Sequence, residues 1–168
     1  VGVILWAHSA GIMKHPEAIA HYGQMGIKGL KIDFMDRSDQ EIVNFYERTA
    51  AEAAKYHMVI DYHGAYKPAG LEYVYPNILA HEGVLGMEQE GNCKPDNTLY
   101  EMFIRNVAGP MDYTPGAMIS MQPEVFHGSR PNNASIGTRA YQMALYIVME
   151  SGIQMLSDTP SNYYRNPD

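Results

Sequence analysis

Cysteine is all but missing: Cys93 stands alone among 168 residues, so no internal disulfide can form. Tryptophan is as scarce, with Trp6 the single one. Charge is thin too, at 18%, below the roughly one quarter usual for globular chains. Bases are outnumbered, 12 Lys and Arg against 19 Asp and Glu, for a formal net charge of −7. That balance offers no basic footprint, so no nucleic-acid partner is expected. No apolar run is long enough to span a bilayer, so no membrane partner is expected. The chain has no His-Glu-x-x-His, and a lone cysteine leaves zinc poorly supported. It has no Gly-x-Ser-x-Gly, which weakens a Ser-His-Asp hydrolase. Neither a Gly-x-Gly-x-x-Gly fingerprint nor a P-loop follows the early strands, which argues against a nucleotide-binding open sheet. An initiator Met is missing as well. The chain opens in mid-strand and reads as a piece cut from a longer protein, with any targeting segment outside it.

What is present is organised around Gly29-Leu30-Lys31-Ile32-Asp33-Phe34-Met35-Asp36. Leu30, Ile32 and Phe34 alternate with Lys31 and Asp33, the period of a strand with two unlike faces. Ser38-Asp39-Gln40-Glu41 follows, and Ser-x-x-Glu is a capping-box signature for a helix start. Asp33 therefore ends a strand that turns directly into a helix, the place where a (β/α) barrel carries catalytic groups. The plain alternative is an aspartate that caps or salt-bridges a loop.

The same order recurs along the chain. Val1 to Trp6 reads as a buried strand followed by a polar turn over Ala7 to Gly11, and Pro16 to Met25 as a helix. Gln40 to Tyr56 is a helix with an apolar stripe, and His57 to Tyr62 a third strand. His63 to Pro76 is loop-like, and Ile78 to Glu90 is mixed. Thr98 to Ala108 reads as a helix, and Met111 to Gly116 as a strand end with a turn. Met118 to Asn133 is a long loop. Ser135 to Ser151 reads as a helix with Ile136, Ala140, Met143, Ala144, Ile147 and Val148 on one face, and Ile153 to Leu156 as a last strand. Strand then helix, repeated, implies an α/β fold with a parallel sheet. The six strand-like runs fit a partial (β/α)8 TIM-type barrel, about six of its eight βα units, with residues 1–168 forming one catalytic fragment. A doubly wound open sheet is the structural alternative.

At successive strand ends stand His8, Asp33 with Asp36, Asp61 with His63, Glu82 with Glu88, Asp112 and Asp158. Such a rim suits a carboxylate pair for glycoside hydrolysis, an oxygen site for a hard cation, or a metal-assisted hydrolase. Simple solvated loop acids are the bland reading. His57 and His127 read as structural or surface histidines, and the methionines as core filler.

Five ordered stretches resemble the catalytic barrel of glycoside hydrolase family 97. They are Gly29-Leu30-Lys31-Ile32-Asp33-Phe34, Asp61-Tyr62-His63-Gly64-Ala65-Tyr66-Lys67-Pro68-Ala69-Gly70, His81-Glu82-Gly83-Val84-Leu85-Gly86-Met87-Glu88, Ala108-Gly109-Pro110-Met111-Asp112-Tyr113-Thr114-Pro115-Gly116 and Gly137-Thr138-Arg139-Ala140. The resemblance covers nearly the whole chain. It implies a β-sandwich domain before the barrel and a small β domain after it, both outside this chain, as is the first part of the barrel.

The resemblance also implies site residues. Asp33 matches the nucleophile of retaining members. Inverting members lack that Asp and carry a Glu directly after the His of the next strand; here Gly64 follows His63, which points to retention. Glu88 matches the general acid/base, and Glu82 with Glu88 match two carboxylates that bind calcium. Retaining hydrolysis needs two carboxyl groups about 5–5.5 Å apart across the scissile bond, one ionised and one protonated. A calcium ion would lower the pKa of Glu88, which burial or a nearby negative charge must offset. Lys31 shares a strand face with Asp33, so it is expected to bind sugar hydroxyls and favour the ionised carboxylate. His63 is expected to hold a hydroxyl, while Trp6 reads as a sugar platform or as core. Asp36 and Asp61 read as structural.

The expected activity is a retaining α-glycoside hydrolase. The resemblance favours an α-galactoside or related oligosaccharide as substrate, with α-glucoside next, and a periplasmic or secreted location. The rivals are a metal-assisted hydrolase and a non-catalytic carbohydrate-binding barrel.

Overall fold

The computed structural model describes residues 1–128 and 134–166. The last five residues of the expected Met118–Asn133 loop therefore lie outside the described residues. The chain divides into two compact units, Val1–Gly83 and Val84–Asp168.

The first unit is a parallel α/β layer. Strands β1 (Ile4–His8), β2 (Gly29–Asp33), β3 (Val59–Tyr62) and β4 (Ile78–His81) lie side by side in sequence order, all parallel. Helices α1 (Ser9–Lys14) and α2 (Ala18–Gln24) connect β1 to β2, and α3 (Gln40–Lys55) connects β2 to β3. The one-turn α4 (Leu71–Val74) interrupts the expected loop before β4. Register gives each sheet face its character. Trp6 pairs with Lys31, His8 with Asp33 and Lys31 with Asp61, so these polar side chains share one face. A register shift between Ile60 and Asp61 then places Asp61 beside Ala80 and Tyr62 beside His81.

The other face is the core. Leu30, Ile32, Ile60 and Tyr62 are fully buried with Ile42, Phe45, Tyr46, Ala50 and Ala53 of α3. A buried tyrosine needs a partner for its hydroxyl. Tyr62 finds one by donating to the Tyr46 carbonyl at 2.7 Å and meeting Thr49 Oγ1 at 2.7 Å. Burial pushes its phenol far above the usual range.

Two expectations in this unit change. The first strand runs to His8, and what reads as a polar turn is instead α1, capped by His8 Nδ1 accepting the Ala10 N–H at 3.1 Å. The start of α3 is capped by Asp39, one residue later than the capping box places it. Asp39 Oδ1 accepts the N–H groups of Glu41 and Ile42 at 3.1 and 3.3 Å. An aspartate serves as N-cap as readily as a serine and adds negative charge at the helix N-terminus.

In the second unit, a 3₁₀ turn over Met87–Asn92 leads into α5 (Pro95–Ile104) and a second 3₁₀ turn over Asn106–Ala108. Two short strands, β5 (Ser120–Met121) and β6 (Ser135–Ile136), pair in parallel ahead of α6 (Arg139–Val148), and α7 (Pro160–Tyr164) ends the described chain. The expected strands at Met111 and at Ile153–Leu156 are not ladder strands; Met111 makes a single bridge, its N–H meeting the Glu150 carbonyl at 3.1 Å. Apolar composition alone cannot supply the neighbouring backbone a strand requires. The expected face of α6 is also displaced. Gln142 and Leu145 are buried, whereas Met143 and Ile147 are 70% and 86% exposed. Gln142 accounts for this, because its Oε1 accepts the Gly116 N–H at 2.8 Å, turning a polar residue inward.

The cap correction is directly testable. Asp39→Ala should lower the unfolding free energy by about 1 kcal/mol, whereas Ser38→Ala should change it by less than about 0.5 kcal/mol. Urea denaturation of the two variants decides between the caps.

Candidate active site

The C-terminal edge of the parallel sheet in the first unit gathers most of the expected residues. Asp33, the last residue of β2, is only 7% exposed. Its two carboxylate oxygens accept different donors. Oδ2 accepts the Trp6 indole N–H at 2.9 Å, and Oδ1 accepts the Phe34 backbone N–H at 2.6 Å. The chain then turns sharply, with Phe34 at φ +62° and Asp36 at φ +48°, conformations that cost a side-chain-bearing residue energy. Neighbouring elements hold this turn. Ser9 Oγ donates to the Phe34 carbonyl at 2.7 Å, and the Asp36 N–H donates to the Gly64 carbonyl at 2.9 Å.

Gly64 sits against that turn at φ +56°. A Cβ on it would stand 2.8 Å from the Phe34 nitrogen and 3.0 Å from Asp33 Oδ1. Its own N–H donates to Glu82 Oε2 at 2.7 Å. The other Glu82 oxygen lies 3.3 Å from His63 Nε2. His63 is in turn anchored by its N–H to the Ile32 carbonyl at 2.8 Å, and Glu82 by its N–H to the Tyr62 carbonyl at 2.8 Å. Trp6 is thus bonded to Asp33, the turn after Asp33 to Gly64 through the Asp36 N–H, and Gly64 to Glu82, which meets His63.

Lys31 shares the face of Asp33 as expected, and its ammonium lies 3.7 Å from the Asp61 carboxylate on the adjoining strand. Asp61, expected to be structural, is buried at this pairing. Trp6 is not core: it is 55% exposed. It meets Phe34 edge-on at 6.1 Å and His8 at 6.4 Å between ring centroids. Sequence reasoning missed Phe34 as an exposed member of this aromatic group. Its side chain reads as one more apolar strand position, and only the left-handed turn brings it out. A groove of about 430 Å³ in the same unit lies among α1 to α3, lined by residues such as Ile12, Phe45 and Lys55 and by none of the rim acids.

Glu88 belongs to the second unit, half-buried on the 3₁₀ turn over Met87–Asn92. The turn is pinned by the Met87 N–H donating to the Tyr113 carbonyl at 2.9 Å. Beneath it, Met87, Cys93, Met111, Tyr113, Leu145 and Met149 form a small core. The Tyr113 hydroxyl meets Cys93 Sγ at 2.8 Å and Thr98 Oγ1 at 3.0 Å, and Thr98 also bonds the Tyr141 hydroxyl. Burial pushes the Cys93 thiol up, which keeps it a thiol at neutral pH and a poor nucleophile. Asp158 ties a loop: Oδ2 accepts the Met118 N–H at 3.0 Å, while Oδ1 accepts from Thr159 and Asn162, each at 2.7 Å.

The tight packing at Gly64 makes a forecast. Gly64→Ala should cost about 1–3 kcal/mol of stability, from a left-handed backbone and a collision with the Phe34 backbone. A Cβ at Gly11 meets nothing within 4 Å; Gly11→Ala on α1 should be neutral or stabilising by up to about 1 kcal/mol. Thermal or urea unfolding of both variants checks the contrast.

Comparison with known proteins now identifies the framework. Residues 1–84, half of the 168-residue chain, match the family model for glycoside hydrolase 97. A retaining α-galactosidase from Bacteroides thetaiotaomicron is 48% identical over all of this chain, which covers 26% of that protein. A probable retaining α-galactosidase from Streptomyces bingchenggensis is 34% identical over 99% of this chain and 25% of its own length. Among solved structures, a glycoside hydrolase family 97 enzyme from Pseudoalteromonas sp. strain K8 in complex with acarbose superimposes with a TM-score of 0.78. It is 29% identical, and the match covers 98% of this chain and 28% of that one. The chain thus spans about a quarter of the length of the curated relatives it matches. With half its length matching the family model, the chain belongs to glycoside hydrolase family 97.

Proposed function

We propose that this chain forms part of a retaining α-glycoside hydrolase acting on α-galactosides, and that its parallel strands are an arc of a (β/α)8 barrel. The observation that carries the reading is Asp33, a nearly buried carboxylate at the end of β2, held by two N–H donors. The 48% identity to a retaining α-galactosidase supports the galactoside preference. The family 97 enzyme bound to acarbose supports an oligosaccharide as the class of ligand.

The proposed chemistry is a double displacement. The ionised Asp33 carboxylate attacks the anomeric carbon while the bond to the leaving oxygen breaks, and Glu88 gives its proton to that oxygen. A glycosyl ester of Asp33 results. Glu88 then takes a proton from water, the water oxygen bonds to the anomeric carbon, and the ester bond breaks, releasing the sugar with its α configuration. Lys31 and His63 are the proposed sugar-binding side chains.

Calcium is proposed as the bound ion. The fit rests on Glu82, a largely buried hard-oxygen donor with one oxygen accepting the Gly64 N–H and the other beside His63 Nε2. Glu82 and Glu88 would hold it, and it would supply positive charge to the carboxylates around it.

The deciding experiment uses the full-length protein with p-nitrophenyl α-galactoside, following the first-released anomer by NMR. α-Galactose is expected, with activity abolished in Asp33→Ala and azide restoring turnover as β-galactosyl azide. Release of β-galactose, or undiminished activity in Asp33→Ala, overturns the mechanism. Faster turnover of the α-glucoside overturns the substrate preference alone. Chelation by EGTA should lower the rate and added calcium restore it; a rate indifferent to both removes calcium from the account.

A further inference from the structure

The bond between Trp6 and Asp33 reaches across 27 residues of sequence and two adjacent strands. We infer that Trp6 is a positioning residue for Asp33, its indole N–H fixing the plane of the carboxylate that attacks the sugar. The inference rests on the reading of Asp33 as nucleophile. It assigns Trp6 a role distinct from that of a ring on which a sugar stacks.

Three observations carry it. Asp33 receives one donor on each oxygen, Trp6 Nε1 on Oδ2 at 2.9 Å and the Phe34 N–H on Oδ1 at 2.6 Å. Two donors at opposite ends of a carboxylate stop its rotation, whereas one leaves it free to swing. Each oxygen keeps lone-pair capacity for attack. Second, the indole is not fixed by burial, since it is 55% exposed. It is fixed by edge-on contacts to Phe34 and His8, with interplanar angles of 82° and 81°. Phe34 is thereby tied in twice, once by its ring against Trp6 and once by its N–H on Asp33. Third, the indole N–H is a donor only. A histidine or tyrosine in its place could exchange a proton with the carboxylate or accept one, but the indole can only stabilise the ionised, attacking form. Displacement demands a near-attack geometry, and small errors of orientation cost rate steeply.

The test is a mutant cycle in the full-length protein with p-nitrophenyl α-galactoside. Trp6→Phe keeps an aromatic ring and removes the N–H. It should lower kcat about tenfold to hundredfold, the worth of a charge-assisted hydrogen bond, with KM changed less than about threefold. In an Asp33→Gly background rescued by azide, there is no carboxylate to position. There Trp6→Phe should alter the formation of β-galactosyl azide by less than about threefold, a non-additivity that a stacking platform does not produce. An equal penalty in both backgrounds, or a raised KM with kcat intact, makes Trp6 a platform and overturns the inference. If Trp6→Phe fails to fold, benzothienylalanine at the same position keeps the fused ring and lacks the N–H, and the same cycle is read with it. Full activity of Asp33→Gly without azide sinks the nucleophile reading itself, an outcome separate from failure of Trp6.

Discussion

The rim of the first unit depends on a residue with no side chain. Gly64 lies so near the Asp33 turn that a Cβ would collide with it, and it accepts the Asp36 N–H with its carbonyl and gives its own N–H to Glu82. These contacts converge because the backbone can approach to distances that a Cβ forbids. Two acidic side chains are located through it. Glu82 is held by the Gly64 amide directly. Asp33 is held because the strained turn at Phe34 and Asp36 is braced against the Gly64 carbonyl. Strain of this kind persists only where surrounding structure over-determines it, and the Ser9 hydroxyl on the Phe34 carbonyl supplies the other brace.

The polar face is a consequence of parallel register. Once β1, β2 and β3 pair with Trp6 beside Lys31 and Lys31 beside Asp61, every second residue toward the strand ends must face the same way. Apolar partners on the opposite face then lock that choice. A slip of one residue would bring Leu30 and Ile32 onto the polar side and drive Lys31 and Asp33 into the packing of α3. The core of Leu30, Ile32, Ile60 and Tyr62 therefore positions the rim as surely as any hydrogen bond to it. In the second unit a different device does comparable work. Buried hydroxyls of Tyr113, Thr98 and Tyr141 with the Cys93 thiol satisfy one another beneath the turn that bears Glu88.

Alternation around Asp33 was readable from residue order alone, because a strand with unlike faces leaves a period of two. The helix from Gln40 was readable for the equivalent reason, a stripe with a period near four. What escaped was everything set by a partner distant in sequence. Trp6 reads equally as core or as a platform until register places it diagonally from Asp33. The partner of Asp61, Lys31 at 3.7 Å on the adjoining strand, is set by register and not by residue order. The face of α6 was misjudged because Gln142, a polar residue, is drawn inward by the Gly116 amide. Ile153 to Leu156 has a strand's composition, but composition cannot provide a ladder to join. The motif resemblance singles out Asp33, Glu82 and Glu88 as candidates, yet it cannot show which donors hold Asp33 and Glu82.

The packing at Gly64 bears on stereochemistry. The inverting pattern of the family replaces this glycine with glutamate and dispenses with the aspartate. In this chain a Cβ at position 64 would meet Asp33 Oδ1 at 3.0 Å and the Phe34 backbone at 2.8 Å. A carboxylate on the β2 end and any side chain at position 64 therefore compete for one volume. Bringing both together would also set a second negative charge close to the nearly buried Asp33 carboxylate, which favours uptake of a proton by one of them. Retention and inversion are then alternatives in space before they are alternatives in chemistry. Gly64 leaves that volume to the Asp33 carboxylate, which stands at the strand end with one N–H donor on each oxygen.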